Sequence, residues 1–246
     1  MGCAVRRPAF TTSRFQRSQA RLRQLRIPPY FYELRPGLPF AIYVTVLSKA
    51  YRRHLPHILP AGATIFLTWR LRGSLPPGFV FDSPDQRDLS DGVSFGKMDK
   101  LLDQATHGPR WLADSAIAEE VCRTIERGAE APLLQYVLHE FVVMPNHVHL
   151  LISPKTDVTR ITQGIKGSSA RFANLKLGRV GESFWQDETF DRFCRSAEEF
   201  QQIRGYIARN PVRAGLAKAM DEWPWSSWHR RSASAAKARR SESTTY

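Results

Sequence analysis

The sequence predicts an α+β fold, an antiparallel sheet with helices packed on one face. Two observations carry this prediction. Short runs rich in β-branched and aromatic residues alternate with segments whose apolar residues recur at helical spacing. No run of about 18 apolar residues, the length that spans a membrane, occurs anywhere. With 246 residues and 42% hydrophobic content, the chain can bury one sizeable core.

The first half predicts one strand and two helices. The strand is ATIFLTWRL, over 63–71, with glycine on both sides. A loop rich in Asp, Ser, Pro and Gly follows over 79–96. Helical spacing then recurs over 97–104 and again over 114–127, where Asp114 or the next residue is the expected N-cap.

A hairpin and a helix come next. LLQYVLHEFVV, over 133–143, reads as a strand, and the Met-Pro-Asn turn at 144–146 leads to a returning strand over 147–152. A helix over 159–175 is expected to open after Asp157.

The last elements are an extended segment over 182–192 and a helix over 196–210. Ser196 is the expected N-cap of that helix, Glu199 completes a capping box, and Pro211 is expected to stop it. The order is strand, helices, hairpin, helix, strand, helix. This order indicates a sheet of the ferredoxin-like kind.

The net charge of +13 is concentrated at the two ends of the chain. Residues 1–53 hold eleven Lys and Arg against one acid, residues 229–246 hold five against one, and the stretch between them is nearly neutral. We therefore expect a basic arm over 1–50, one domain over 51–228 with a helical insertion at about 74–130, and a basic tail from 229. Such ends favour an anionic partner such as DNA.

Two interpretations stay open for the arm. It is either a flexible or weakly helical segment with an extra strand over 41–47, or a stretch upstream of the true start of the protein. Its arginines lack the apolar block of a secretory signal, and the three widely spaced cysteines suit neither a disulfide framework nor a metal knuckle. We expect a cytoplasmic protein without a membrane partner.

His147 and His149 are the first candidate site residues. Alternate residues of a strand share a face, so the two imidazoles are neighbours that can chelate one ion, while Val148 points into a core. The motif is short, and two incidental surface histidines fit the spacing equally well.

Tyr206 and Asn210 are the second pair. Residues four apart share a helix face, so a phenol and an amide project together from the end of the last predicted helix. A core position for Tyr206 is the alternative, although neighbouring apolar residues already supply the buried stripe of this helix.

Four linked motifs occur in a recognisable order: VMPNHVHL at 143–150, FWQ at 184–186 with Phe190, YI at 206–207 with NPVRAGL at 210–216, and WPWSS at 223–227. In order and spacing they resemble the REP-associated tyrosine transposases, IS200-like relatives of the small single-tyrosine transposases that carry an HUH motif. The resemblance runs from about Tyr51 to Trp228.

The resemblance implies a ferredoxin-like HUH endonuclease domain. His147, His149 and Asn210 would bind Mg²⁺ or Mn²⁺, and Tyr206 would be the catalytic nucleophile. Such an enzyme cuts single-stranded DNA near a hairpin through a 5′-phosphotyrosine link, leaves a free 3′-hydroxyl and rejoins strands. It needs no ATP, and the chain has no Walker-type phosphate loop.

The expected partner is single-stranded or hairpin DNA, such as REP-like palindromes, bound by a nucleoid-associated bacterial monomer or homodimer. Phosphates would contact arginines and bases would stack on tryptophans, which could instead pack internally. The candidates are Arg192, Arg195, Arg209, Arg213, Trp185 and Trp225.

Two other functions compete with this one. The protein could be a non-catalytic, host-retained protein that binds hairpin DNA without cutting it. It could also be a metal-dependent hydrolase of a small substrate, with His139 as third ligand.

Overall fold

The computed structural model describes residues 48–52, 56–60, 62–79 and 87–243, so most of the predicted arm and the strand predicted over 41–47 lie outside the described residues. None of the described helices is long and apolar enough to cross a membrane. The strands are β1 Ser48–Arg52, β2 Pro56–Pro60, β3 Ile65–Arg70, β4 Tyr136–Val143, β5 His147–Pro154 and β6 Phe190–Phe193. The α-helices are α1 Arg87–Gln104, α2 Ser115–Ala129, α3 Val158–Lys176, α4 Ala197–Arg213 and α5 Ser227–Ser243.

Strands β3 to β6 form one antiparallel sheet in the order β4-β5-β3-β6, while β1 and β2 pair in a separate hairpin. Along the chain, β3, α2, β4, β5, α3 and β6 give the β-α-β-β-α-β succession of a ferredoxin-like fold. The predicted α+β class and antiparallel sheet are confirmed. The sequence predicted a helical insertion at about 74–130. Helix α2 lies in this stretch, but it connects β3 to β4 and is one of the two helices of the succession. Only the residues from about 74 to the end of α1 are additional to it.

The sheet is covered on both faces. On one face, Val148 packs with Ile117 of α2 and Ile161 of α3. On the other face, Leu151 packs with Ile207 of α4. The sequence predicted all helices on one face of the sheet. Helices α2 and α3 do share a face, whereas α4 covers the opposite face, where the prediction is wrong. Residues 147–152 of β5 are all buried, and a strand buried on both sides needs a layer on each.

Helix α1 begins at Arg87, inside the stretch predicted as a loop, so that prediction is wrong for residues 87–96. The reason lies in tertiary packing. Met98 and Leu102 are buried with Leu75, and Phe95 packs beside them. Their spacing of three and four residues gives α1 one apolar face, whose burial outweighs a composition that favours a loop.

Helix α4 has the predicted beginning but runs past the predicted end. Ser196 Oγ accepts a hydrogen bond from the Glu199 amide, as an N-cap should. The helix continues through Pro211 and ends at Arg213, three residues beyond the predicted end at Asn210. A proline removes only one amide donor, and Pro211 is held in a buried turn. Gly215, with a φ of 70°, then turns the chain away.

Helix α5 includes most of the predicted basic tail, and its first arginines are already paired. Arg230 binds Glu119 at 3.0 Å and Glu126 at 2.6 Å. Arg231 binds the buried Glu140 at 2.7 Å. These carboxylates anchor the start of the tail to the domain, so the two arginines are not free to contact DNA.

Candidate metal centre and active site

The two histidines of β5 lie on the sheet face that α4 covers. In the register with β3, His149 is opposite Thr68 and His147 is opposite Arg70. Both imidazoles are fully buried, and their Nε2 atoms are 3.1 Å apart. The predicted shared face is confirmed, and the two ring nitrogens converge on one point.

Neighbouring polar groups orient both imidazoles. The Asn146 amide nitrogen donates to the Leu102 carbonyl at 3.0 Å, which turns Asn146 Oδ1 toward His147 Nδ1 at 2.7 Å. His147 Nδ1 must then carry the proton, and Nε2 is left as a lone-pair donor. Thr68 Oγ1 contacts His149 Nδ1 at 2.8 Å. Burial, followed by the charge of His149, lowers the pKa of His147 to about 3, so this ring is neutral at pH 7.

Helix α4 brings Tyr206 and Asn210 to the same point. The rings of Tyr206 and His149 are 5.5 Å apart between centroids. Asn210 is fully buried, and its Nδ2 lies 3.3 Å from His149 Nε2. Among the described residues, Asn210 Oδ1 is one of the few buried side-chain oxygens without a hydrogen-bond partner. An orphaned oxygen beside two convergent imidazoles is a feature of a ligand position.

Two carboxylates of α1 also enter the site, and the sequence prediction missed them. Asp99 Oδ1 lies 3.1 Å from His149 Nε2, and Asp103 Oδ1 lies 3.8 Å from His147 Nε2. Within the part of the chain that the structure describes, Asp99, His147 and His149 form the one cluster of acidic, His or Cys groups with metal-ligand spacing. The spacing of Phe95, Met98 and Leu102 is the sequence feature that could have revealed α1.

The environment of Tyr206 keeps its phenol protonated in this conformation. The Tyr206 hydroxyl donates a hydrogen bond to Asp99 Oδ2. Burial, and then the charge and hydrogen bond of Asp99, raise the pKa of Tyr206 far above its ordinary value. Arg213 opposes the shift, with its guanidinium carbon 4.9 Å from the Tyr206 ring centroid. For Asp99 itself, burial raises the pKa, but the hydrogen bond and charge of His149 outweigh it and leave a carboxylate.

The geometry fits a divalent ion. An ion about 2.1 Å from two nitrogen ligands at a right angle holds them about 3.0 Å apart, which is close to the 3.1 Å between His147 and His149 Nε2. Asp99 and, after rotation of its amide, Asn210 can add oxygen ligands. Imidazole, amide and carboxylate together suit Mn²⁺, since Mg²⁺ prefers oxygen ligands alone.

The four candidate arginines are placed differently. Arg213 is beside Tyr206 and pairs with Asp103 at 3.4 Å, whereas Arg192 is bound to Glu199. Arg195 lies over the Phe193 ring at 5.9 Å. Arg209 lines a cavity of about 360 Å³ next to Tyr206. The other lining residues of this cavity are Phe66, Phe95, Phe190, Arg192, Gln202 and Ile203.

The tryptophans mainly serve packing. Trp185 is 5% exposed, and its Nε1 donates to Ser169 Oγ at 3.1 Å. A ring enclosed in this way has no free face for a base, so the prediction of a DNA platform does not hold for Trp185. Trp225 is partly buried against the same core, and its carbonyl accepts from the Val143 amide at 2.8 Å.

A comparison with protein families matches residues 111–210 to the model described as "Transposase IS200 like". The histidines of β5, Tyr206 and Asn210 all fall within this match. Residues 111–210 are therefore similar to an IS200-like transposase domain. Helix α1, with Asp99 and Asp103, lies outside the matched residues.

Two curated proteins confirm the resemblance to REP-associated tyrosine transposases. One such transposase, from Escherichia coli strain K12, is 24% identical over 99 residues, which are 39% of this chain and 56% of the relative. A candidate REP-associated tyrosine transposase of Haemophilus influenzae is 25% identical over 99 residues, 36% of this chain and 56% of the relative. The chain thus spans little more than half the length of the curated relatives it matches.

Two solved structures are also similar to this chain. A REP-associated tyrosine transposase bound to a REP hairpin has a TM-score of 0.46 at 20% identity, covering 74% of this chain and 84% of that one. A candidate transposase of Deinococcus radiodurans has a TM-score of 0.33 at 15% identity, covering 65% and 96%. The fold assignment rests on the strand order of the chain itself.

Proposed function

We propose that the protein is a metal-dependent single-stranded DNA endonuclease and strand transferase that cuts near DNA hairpins and rejoins strands. One observation carries the proposal. The Tyr206 hydroxyl of α4 and the His149 Nε2 of β5 both contact the Asp99 carboxylate, and His147 Nε2 is 3.1 Å from His149 Nε2. A nucleophile beside a chelating pair is the arrangement that phosphoryl transfer to a side chain needs.

His147, His149 and Asn210 would hold the ion, and Asp99 offers a further carboxylate in the conformation described. The cofactor is Mg²⁺ or Mn²⁺, and the donor set favours Mn²⁺. When bound, the ion supplies a positive charge that polarises the scissile phosphate and neutralises its non-bridging oxygens. Asn146 and Thr68 keep both imidazoles aimed at it.

Tyr206 would attack phosphorus through its hydroxyl oxygen. The new bond joins that oxygen to phosphorus, the bond between phosphorus and the 3′ oxygen breaks, and the leaving oxygen takes up a proton. The 5′ phosphate stays on Tyr206, so its ester is retained for rejoining. Arg213, 4.9 Å from the Tyr206 ring, is the nearest cation that can favour the phenolate and contact the phosphate.

Positive charge and aromatic rings beside Tyr206 suit a DNA strand. Arg209 and Arg192 line the 360 Å³ cavity next to the nucleophile, together with Phe190. Arginines can bind the backbone while a base stacks on a ring, which is how single-stranded DNA is held without base pairing. We infer that the strand adjoining the cut runs over this cavity, with the hairpin beyond it.

The rival hydrolase with His139 as third ligand has no support in the geometry. His139 Nε2 contacts Ser153 Oγ at 2.7 Å, and His139 is absent from the cluster of Asp99, His147 and His149. The rival that binds hairpin DNA without cutting differs from the proposal in chemistry alone. A covalent protein–DNA product separates the two.

The test is incubation of the protein with a hairpin oligonucleotide carrying single-stranded flanks and Mn²⁺, followed by denaturing electrophoresis. A label at the 3′ end is expected to migrate with the protein, while a label at the 5′ end appears on a shorter free strand. The reverse distribution of labels would contradict the 5′-phosphotyrosine link.

Tyr206→Phe is expected to abolish the adduct and to leave DNA binding nearly unchanged. Tyr136→Phe is the matched control, because the hydroxyl of Tyr136, a buried tyrosine, also donates a hydrogen bond, to the Ile125 carbonyl at 2.5 Å. An adduct that survives in Tyr206→Phe would remove Tyr206 from the proposed role.

A further inference from the structure

The candidate ligand positions of the active site are closed to solvent. Asp99, His147, His149 and Asn210 are each at most 2% exposed. A phosphodiester that reacts with Tyr206 must touch the Nε2 side of the imidazoles, where the ion belongs. A nucleotide cannot reach that point while the surrounding atoms stay in place.

One face of α1 closes the site. Phe95, Asp99 and Asp103 are spaced four residues apart, so they form one stripe along the helix. The Phe95 ring stacks on Phe190 at 4.5 Å and meets the edge of Phe66 at 5.6 Å. The two carboxylates lie directly over the histidines.

These carboxylates contact the partners that a scissile phosphate would have. Asp99 accepts the hydrogen bond of the Tyr206 hydroxyl and lies 3.1 Å from His149 Nε2. Arg213 is 3.7 Å from Asp99 and 3.4 Å from Asp103. The nucleophile, a metal ligand and the nearest arginine are thus all occupied by anionic oxygens. A phosphate brought against two carboxylates in a buried space would be repelled by several kcal/mol.

The closed arrangement has an electrostatic cost of its own. Asp99 and Asp103 share one guanidinium, since Arg213 Nη2 is 3.7 Å from the first and 3.4 Å from the second. One cation compensates two carboxylates only in part, which limits how firmly α1 can stay closed. A second observation concerns the chain order: α1 stands outside the β-α-β-β-α-β succession and contributes no strand or crossover helix to the sheet. Asn146 Nδ2 donates to the Leu102 carbonyl of α1, and this hydrogen bond would break when α1 moves.

We propose that α1 is an autoinhibitory lid on the transposase site. Asp99 and Asp103 occupy the place of the scissile phosphate, and single-stranded DNA enters only when α1 moves away. The inference rests on the proposed function for the identity of the substrate. The closure itself rests on the burial of the ligand positions and on the contacts of Asp99 and Asp103. In the open state the scissile phosphate would take the place of Asp99 beside Tyr206 and His149.

The test compares the wild type with Asp99→Asn/Asp103→Asn, which removes both charges and keeps the side-chain shape. Glu130→Gln/Asp221→Asn is the control, because it makes the same change of charge at two exposed positions. The first readout does not depend on DNA. Diethyl pyrocarbonate modifies accessible imidazoles, and peptide mass spectrometry gives its rate at His147 and His149, with the exposed His107 as internal reference.

Opening is expected to raise the rate at the two buried histidines at least tenfold in the lid variant and not in the control. If the open state of the wild type is populated at about 1–10%, full opening raises the apparent affinity for a hairpin oligonucleotide about 10- to 100-fold. Adduct yield should rise in parallel. Loss of the adduct in a folded lid variant would overturn the proposal and make Asp99 an indispensable ligand or base.

The two proposals can fail separately. Faster histidine modification in a variant that neither binds nor cuts DNA would keep the lid and refute the transposase function. Unchanged modification would refute the lid, whatever the activity. Because the double variant could fail to fold, hydrogen exchange on the wild type supplies a second test: on binding hairpin DNA, amides 95–104 should lose protection, and unchanged protection with DNA bound would also refute the lid.

Discussion

Metal binding to the histidine pair should stabilise the folded protein, and His149→Ala should abolish that effect. His147 and His149 are on one rigid strand with Nε2 atoms 3.1 Å apart, an arrangement that the unfolded chain does not keep. An ion that binds only the folded state at 100 times its dissociation constant adds about 2.7 kcal/mol to the free energy of unfolding.

For a domain of this size, 1 kcal/mol corresponds to about 2–4 °C in Tm, so saturating Mn²⁺ is expected to raise Tm by about 5–11 °C. The assay is differential scanning fluorimetry over a Mn²⁺ titration, with excess chelator as the reference. The Tm of each protein with Mn²⁺ is compared with the Tm of the same protein without it. The loss of stability caused by removing a buried imidazole is present in both measurements and cancels.

His107→Ala is the matched control, because His107 is exposed and its side chain forms a hydrogen bond with the adjacent Thr106. It should keep the full shift. Equal Mn²⁺ shifts in His149→Ala and His107→Ala would refute the assignment of the metal to this pair. A wild type with no shift at millimolar Mn²⁺ would refute it as well.

Three further outcomes follow from other parts of the molecule. Arg230→Ala should lower the free energy of unfolding by about 1–2 kcal/mol in urea denaturation, because its guanidinium bridges two carboxylates. Arg123→Ala breaks an exposed ion pair and should lower the free energy of unfolding by less than about 0.5 kcal/mol. Arg209→Ala should weaken hairpin binding and reduce the salt slope by about one, and Arg171→Ala on α3 should do neither. Burial, and then the Glu199 charge, raise the pKa of Cys194 to about 11, so its alkylation rate should keep rising above pH 9; a plateau below pH 10 would contradict this.

The histidine pair was predictable from the sequence because strand geometry alone decides it. Alternate side chains share a face, so the HVH pattern in an apolar strand fixes two neighbouring imidazoles. Tyr206 and Asn210 were predictable for the same kind of reason, through the four-residue spacing of a helix. What the sequence could not give is their burial, which depends on what packs over β5.

The segment that holds Asp99 was predicted as a helix over 97–104, and only 87–96 was wrongly predicted as a loop. The place of Asp99 in the site could not be predicted, because it depends on what α1 packs against, and Met98 and Leu102 are buried with the distant Leu75. The prediction of Trp185 as a platform for DNA bases is wrong for a related reason. The motif around it fits an exposed platform or a core position equally well, and its hydrogen bond to Ser169 places it in the core.

The basic tail shows the limit of counting charges. Five Lys and Arg against one acid predicted a DNA-binding segment, yet Arg230 and Arg231 are bound to Glu119, Glu126 and Glu140. Net charge is a property of the sequence, whereas the charge offered to a partner depends on which groups already have a counter-ion. Arg209, which lines the cavity beside Tyr206 and has no carboxylate partner among the described residues, is therefore the better candidate for contact with DNA.

The most direct measurement of the central claim is the chemical identity of the covalent product. The adduct formed with a hairpin oligonucleotide and Mn²⁺ is digested with nuclease and trypsin and analysed by mass spectrometry. Trypsin cuts after Arg204 and Arg209, and the account predicts a nucleotide esterified to Tyr206 in the peptide GYIAR. A nucleotide found on any other peptide, or cleaved DNA with no modified peptide at all, would contradict it.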